Sequence, residues 1–387
     1  MPRPPERPYD IVVFGATGFT GTLTAEYLAA QAPAGTRLAL AGRNQGKLEA
    51  LRERLGTNVG ILRADVTDPD SVRRVASAAR VVATTVGPYI SYGEPVVAAC
   101  AAAGTDYVDL TGESEFVDRM YVRYHRQAEQ TGARLVHACG FESIPPDLGA
   151  LFTVGQLPAG VPIRLRGFVT GSGQLSGGSI RTAVTRFSRT RQAWAAHAER
   201  RRAEPRGDRR IRTVPGCPGY ERTVGAWVLP APTIDPQIVA YSARTLDRFG
   251  PDFSYSHYLA AANPAVTVGV GAAAAGAFVL AQFPPTRKLL LRLRPSGSGP
   301  SAAQRERNWF RVRFVGQGGG RRVVTEVAGR DPGYGETSKM LAEAAICLAN
   351  DDLPSTAGQV TTAVAMGDVL RERLERAGVT FRVLHTA

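Results

Sequence analysis

Lysine is scarce in this chain of 387 residues. Lys47, Lys288 and Lys339 are the only ones, so arginine supplies nearly all of the 47 basic side chains, and 34 acidic residues leave a formal charge of +13. Such a bias reflects coding composition as readily as function, so the arginine count by itself identifies no partner. Cysteine is also sparse. Cys100, Cys139, Cys217 and Cys347 lie far apart without C-x-x-C spacing, which argues against a zinc site and against a disulfide framework; no metal is expected. No nucleic-acid motif occurs, and no basic stripe is interleaved with aromatics, so nucleic acid is excluded as the expected partner. The opening MPRPPERP carries no apolar core and does not read as a signal peptide. A reducing, cytoplasmic location is the expectation. Hydrophobic residues, at 44%, match ordinary globular content, and the length predicts two domains rather than one core.

What the chain does have is a clear organising stretch at residues 9–21, YDIVVFGATGFTG. Ile11, Val12, Val13 and Phe14 read as a buried strand that stops at Gly15. Gly15, Gly18 and Gly21 then lead, at three-residue spacing, into a helical pattern through Leu23, Tyr27 and Leu28. Strand, glycine turn and helix in that order are the context a dinucleotide-binding fingerprint requires. The first glycine permits the tight turn, the second a close approach to a pyrophosphate, the third close packing of helix on strand. Phosphates sit at the helix N-terminus, where unpaired N–H groups and the helix dipole favour negative charge. Thr17, Phe19 and Thr20 share the loop and join the glycines as cofactor-binding candidates.

Cofactor choice is read at the second strand, residues 36–41. An NAD site places an acid near its end to bind the ribose 2′-hydroxyl, but no acid occurs between Thr36 and Leu48. Arg43 follows the strand instead, with Asn44 and Lys47 close behind. A guanidinium suits a 2′-phosphate through paired, charge-assisted hydrogen bonds, so NADP (as NADPH) is predicted over NAD. The same residues also read as the solvated start of an amphipathic helix over 47–55. Asp65, after a third strand at 59–63, either faces the adenine edge or caps a helix over 68–79.

Ligands of parallel sheets bind outside the carboxyl ends of the strands. The fourth strand, 80–86, ends in Thr85-Val86-Gly87-Pro88-Tyr89. Gly87 and Pro88 are therefore expected at the cofactor, and Tyr89 and Tyr92 at cofactor or substrate. The fifth, 106–110, ends in Thr111-Gly112-Glu113, and the sixth, 133–138, precedes CGFESIPPD at 139–147. Glu113, His137 and Glu142 are acid-base candidates by position, with helix capping as the other reading of Glu113 and Asp147 and core burial as that of Cys139. Tyr89, Tyr92 and Glu113 form the expected catalytic set, for orientation or proton supply.

From about residue 150 the pattern changes. Strand-like pieces fall at 163–170, 223–229, 309–315 and 322–328, the last two flanking a Gly-rich hairpin loop at 316–320. The fold class expected is α/β: a Rossmann-type doubly wound parallel sheet (8–149), then a second α+β domain on a mixed or antiparallel sheet (150–330) that supplies substrate contacts and a homodimer surface. C-terminal helices (331–387) return to the first domain. Residues 178–203 form a basic helix candidate; arginines at 181, 186, 189, 191, 200, 201 and 202, with 206, 209, 210 and 212 beyond, face only Glu199, Glu204 and Asp208. Interleaved Phe187 and Trp194 permit a membrane-surface helix; the alternative is a solvated helix followed by an arginine-proline loop. Residues 264–283 run for twenty positions without a charge. That length can span a bilayer, yet alanine and glycine contribute little transfer energy, so a small-residue helix buried among others is the competing reading. Arg287-Lys288-Leu289-Leu290-Leu291-Arg292 follows directly. A peripheral contact at the inner face of the membrane is an expectation.

Taken together, GATGFTG, AGRN, TVGPY, DLTGE and GFESIPPDLG resemble the saccharopine dehydrogenase-like oxidoreductases, and most closely the actinobacterial branch of trans-acting enoyl reductases. Gly177-Gly178-Ser179, Asp331-Pro332-Gly333-Tyr334 and Ala365-Met366-Gly367-Asp368 extend the resemblance over nearly the whole chain. Two positions depart from it: Glu142 stands where aspartate is more usual, and Ser179 where threonine is. The resemblance implies NADPH use and reduction of an enone or enoyl bond in a hydrophobic, lipid-like small molecule. The Tyr-x-x-x-Lys pair of short-chain dehydrogenases is absent. Two alternatives stay open: a saccharopine-type dehydrogenase acting on an imine of an amino acid, and a non-catalytic NADP-binding scaffold or sensor at the membrane.

Overall fold

The structure is a computed structural model that describes residues 7–56, 58–172, 177–205, 207–292 and 300–386. The first six residues of the N-terminal tail, Arg206 and the side chains of the Gly177-Gly178-Ser179 string lie outside what is described. Strands β1 (Tyr9–Phe14), β2 (Leu38–Gly42), β3 (Gly60–Arg63), β4 (Ala79–Thr84), β5 (Asp106–Asp109) and β6 (Arg134–Val136) alternate with helices. A second group follows: β7 (Ile163–Ser172), β8 (Arg210–Thr213), β9 (Gly219–Glu221), β10 (Ala226–Pro230), β11 (Asp252–Ala261), β12 (Trp309–Gly318) and β13 (Arg321–Gly329). Near the C-terminus come β14 (Gly358–Val360) and β15 (Thr380–Thr386).

The first sheet runs β14-β6-β5-β4-β1-β2-β3 with every pairing parallel. β1 sits inside it, and a strand covered on both faces must be apolar on both. Ile11, Val12, Val13 and Phe14 are all buried accordingly. The strand order reverses between β1 and β4, so their carboxyl ends part and leave the crevice in which such sheets bind ligands. The second sheet, β15-β13-β12-β7-β11-β10-β9 with β8 also on β11, is mixed: β7 and β8 run parallel to β11, the remaining pairs antiparallel.

Helices Ile144–Val154 and Asp235–Thr245 pack on this second sheet. One apolar core runs from Ile11 and Val13 in the first sheet to Phe310 and Phe314 in the second. The β12–β13 hairpin loop is tighter than the expected 316–320. Gly318 pairs Arg321, leaving only Gly319 and Gly320, both at positive φ (58° and 75°), as a two-residue turn whose twist matches the strands.

The C-terminal segment returns to the first sheet as expected, and it does more. Helix Gly335–Asn350 lies buried against helix Phe19–Gln31, and β14 becomes the sheet's edge strand. β15, however, pairs β13 in the second sheet, so this segment stitches both sheets together. Two other expectations change. Residues 178–203 form two helices, Gly177–Ser188 and Thr190–Ala203; Arg191, Arg201 and Arg202 are exposed as in the solvated reading, but Arg189 and Arg200 are engaged. Arg189 makes two 2.7 Å bonds to Glu115, while Arg200 is buried between the rings of Tyr121 and Tyr241, at 4.2 and 3.4 Å. Conversely, helix Pro264–Gln282 is not buried among others: Ala281 is its one buried residue.

Candidate functional site: the crevice at the carboxyl ends of the first sheet

The glycine loop is held from both sides. Gly15 takes φ +88°, its N–H donates to the Ala41 carbonyl (2.9 Å) and its own carbonyl accepts from Gly18 N–H (3.0 Å) and from the Thr85 hydroxyl (3.2 Å). Helix Phe19–Gln31 then begins with no side-chain cap and no acid in its first turn. Its first N–H groups thus stay available to an anion, with the helix dipole behind them. A Cβ at Gly21 would lie 2.2 Å from the Gly15 carbonyl oxygen, a backbone atom that cannot rotate away. Gly21→Ala is therefore expected to push the loop off β4 at a strain of about 1–3 kcal/mol. A NADPH titration checks this, with affinity falling roughly tenfold or more; wild-type affinity would show that the loop tolerates the methyl group.

At the end of β2 the Arg43 side chain is 79% exposed and 4.0 Å from Asp65, its one acidic neighbour among the described residues. Asn44 caps helix Gln45–Leu55 by accepting from Lys47 N–H (3.0 Å), and Lys47 is exposed beside it. Asp65 caps no helix. It accepts from the N–H and hydroxyl of Thr67, which holds its carboxyl below the usual range, while Asp68 caps helix Pro69–Ala78. An uncapped helix start, a glycine cradle and a largely exposed guanidinium after β2 fit a dinucleotide carrying a 2′-phosphate. Arg43→Ala should weaken NADPH by about 10- to 100-fold, the worth of charge-assisted hydrogen bonds, and leave NADH untouched. Equal losses for both cofactors, measured by fluorescence titration, would remove Arg43 from 2′-phosphate recognition. Phe19 is occupied otherwise: its ring meets Tyr334 edge-on at 4.7 Å, with Arg305 above it. Thr17 and Thr20 stay half-exposed beside the loop, and the Thr20 carbonyl accepts from Ser338 (3.4 Å).

Two of the three expected catalytic residues are spent on structure. The buried Tyr89 hydroxyl donates to the Thr84 carbonyl (3.0 Å) and accepts from Leu110 N–H (3.1 Å). Both oxygens of buried Glu113 accept backbone N–H groups, from Tyr89 and Ile90 at 2.9 Å each. Burial pushes the Glu113 carboxyl up, opposed by those two bonds. Tyr89 and Glu113 are thus positioning residues: they fix the turn that follows β4, in which Gly87–Pro88 is cis. Tyr92 alone keeps an exposed side chain at the crevice rim.

The acid-base group that geometry leaves free is Glu142, at the end of β6. Its Oε2 is buried without a hydrogen-bond partner among the described residues, although the side chain as a whole is half-buried. A Cβ at Gly140 would lie 2.4 Å from that oxygen, so the glycine makes the room. Burial raises the Glu142 carboxyl to about 7, opposed by a hydrogen bond from its own backbone N–H and aided by the negative charges of Asp235 and Asp109. His137 also has a buried ring nitrogen, Nε2, without a partner among the described residues, but it lines a separate, larger cavity rather than standing with Glu142. Its Nδ1 lies 2.7 Å from Asp109, which also accepts from Tyr107, Thr111 and Ala138, and its ring is packed between Tyr107 and Phe116. Cys139 is fully buried.

The second domain closes the crevice. The Thr182 methyl of helix Gly177–Ser188 lies 3.3 Å from where a Cβ of Gly112 would stand. Asp235 accepts from Ser143 (3.3 Å) and meets His257 at 3.5 Å, and His257 in turn meets the Tyr255 hydroxyl at 2.7 Å. Sequence reading missed His257 and Tyr255, which sit two apart on β11 with no motif around them. Between the Tyr89–Tyr92 turn and Arg186 and Arg189 only about 10 Å3 remains, room for one water. A much larger cavity, about 770 Å3, lies elsewhere, lined by Tyr121, Arg200, Arg209, Arg244 and Gln359 among others. None of the glycine loop, Arg43, Gly87 to Tyr89 or Glu142 lines it.

Comparison with known proteins agrees with this geometry. Residues 11–136 match the family described as saccharopine dehydrogenase NADP binding domain. A Mycobacterium tuberculosis protein named as a trans-acting enoyl reductase is 40% identical over 98% of this chain and 99% of its own length. The trans-acting enoyl reductase of Mycobacterium ulcerans is 36% identical, with 97% of each chain covered. Among solved structures, saccharopine dehydrogenase (L-Glu forming) of Saccharomyces cerevisiae shares the fold, with a TM-score of 0.57 and 11% identity over 97% of this chain and all of that one. The chain therefore belongs to the saccharopine dehydrogenase-like family of NADP-dependent oxidoreductases, in its trans-acting enoyl reductase branch.

Proposed function

We propose that this protein reduces a carbon–carbon double bond conjugated to a carbonyl in a hydrophobic, lipid-like substrate, with Glu142 as proton donor. The observation that carries the reading is the partnerless Glu142 Oε2 in the crevice, on a carboxyl raised to about 7 and hence able to hold a proton near neutrality. NADPH, when bound, supplies the hydride that adds to the carbon β to the carbonyl. The chain's own residues do the rest. The helix start at Phe19 and Arg43 hold the phosphates, Glu113 and Tyr89 keep the turn after β4 in place, and helix Gly177–Ser188 excludes water. Glu142 delivers a proton to the α carbon, and its carboxylate is reprotonated from solvent, so the balance is one hydride and one proton per double bond. Apolar Val86, Ile90 and Leu110 at the strand ends support a substrate with an apolar body.

NADPH oxidation with enoyl thioesters of increasing chain length tests the proposal, against mixtures of amino acid and oxo-acid. Turnover with long enoyl substrates supports it. Turnover only with the oxo-acid mixtures would establish imine chemistry instead, and tight NADPH binding with no turnover on either would establish a non-catalytic binder.

A further inference from the structure

Helix Pro264–Gln282 is nineteen residues long, carries no charge and has a mean hydropathy of 1.8, yet only 6% of it is buried. A core helix of that composition would be covered by its neighbours. Here Val268 is 70% exposed, Val279 55%, and Val266, Val270 and Leu280 are also open to the outside. Thr267, Gly271, Ala274, Ala277 and Ala281 form the one partly covered stripe, toward helix Gly177–Ser188, β10 and β11, and the exposed apolar side chains spread over the rest of the circumference. A partner that touched one narrow face would leave much of that surface in water, whereas a hydrocarbon phase covers it.

The charges next to the helix point the same way. Helix Pro284–Arg292 follows at once, with Arg287 and Lys288 beside Leu289, itself 64% exposed. Anionic lipid complements such a basic rim.

Sheet topology decides how the helix enters. β11 leads into it, and β12 takes the chain up again. β11 runs parallel to β7 and β12 antiparallel to it, with Trp309 opposite Ser172 and Leu259 opposite Val169. The chain thus leaves and rejoins the second sheet at the same end. A helix of about 28 Å could cross a hydrocarbon core of about 30 Å. The chain would then need a second span to come back, and Pro284–Arg292 is too short and too basic for one.

We infer that Pro264–Gln282 is a monotopic membrane anchor, embedded in one leaflet of an anionic bilayer with Arg287 and Lys288 at the headgroups. The anchor also reaches the crevice. Phe278 meets Phe187 at a ring distance of 5.7 Å, and Gln282 donates to the Phe187 carbonyl (2.8 Å). Phe187 belongs to the helix whose Thr182 stands beside Gly112 at the crevice, so that helix is fastened to the membrane element.

The test uses the full-length chain, sedimented with vesicles of phosphatidylcholine alone or mixed with phosphatidylglycerol. The expected result is binding to both, tighter with phosphatidylglycerol and weakened by salt. Val268→Asp with Val279→Asp should lower binding to either vesicle on the order of a hundredfold. Arg287→Ala with Lys288→Ala should lose about 30-fold on the anionic vesicles only. All variants should keep wild-type NADPH affinity, which shows that they fold. No binding by the wild-type chain overturns the inference, as does binding that the aspartates leave unchanged. A stable dimer that the aspartates dissociate, without vesicle binding, would assign the helix to a second copy instead.

Discussion

Replacing Glu142 with glutamine is expected to lower kcat by about 10²- to 10⁴-fold, the range that a positioned proton donor contributes, while NADPH affinity stays within a factor of about two. Glutamine keeps the shape of the side chain and removes the titrating proton. The wild-type pH profile should carry the complementary mark. The acid form is the active one, so activity is full below the raised value of about 7 and falls as pH climbs through it. The glutamine variant should lose that alkaline limb. A kcat unchanged by the substitution, or an alkaline limb that survives it, would pass the proton to another group, with Tyr92 the next residue to test.

The largest stability effect is expected at Asp147, which follows the strand-end segment that carries Glu142. It is fully buried at the start of helix Ile144–Val154 and accepts from the Thr362 hydroxyl (2.7 Å), from Ala363 N–H (2.8 Å) and from the Ser242 hydroxyl. Burial raises its carboxyl to about 6, against the pull of these same bonds. One carboxylate thereby ties together the helix between the two sheets, the helix packed on β11 and the C-terminal return of the chain. Asp147→Ala strands the Thr362 hydroxyl and the Ala363 amide in the interior, each costing about 1–3 kcal/mol, while the Ser242 hydroxyl keeps Thr361 as a partner, so a loss of roughly 3 kcal/mol is expected. Ser242→Ala removes the bonds to Asp147 and to the Thr361 hydroxyl (2.6 Å) but leaves Asp147 its other two donors, and should cost about 1–2 kcal/mol. Urea unfolding of the two variants checks both figures, and equal midpoints for Asp147→Ala and wild type would show that water replaces the carboxylate.

Much of the first domain was legible in the chain because the responsible interactions are local. A run of β-branched residues ending in glycine must be a strand followed by a turn. The missing acid and the arginine after the second strand are visible one residue at a time. The roles of Tyr89 and Glu113 were not legible. Each sits at a strand end where a ligand contact and a backbone cap read alike in one dimension, and only the fold brings Glu113 under the amides of Tyr89 and Ile90. Arg189 and Arg200 misled for the same reason. Arg200 pairs with Asp118, more than eighty positions away, so a list of charges reads as a solvated face what packing turns into a buried tie.

The stretch 264–283 shows the division most plainly. Its length and lack of charge were set by the sequence, and they admitted either a core helix or a membrane contact. Tertiary structure removed the buried core helix, because burial depends on what other elements cover, and helix Gly177–Ser188, β10 and β11 meet only one side of this one. By itself the sequence determined a Rossmann sheet, an NADP-type loop and the family. Only the fold decided which carboxylate is free to move a proton, because that depends on which oxygens the distant backbone has already claimed: both of Glu113, and not Oε2 of Glu142.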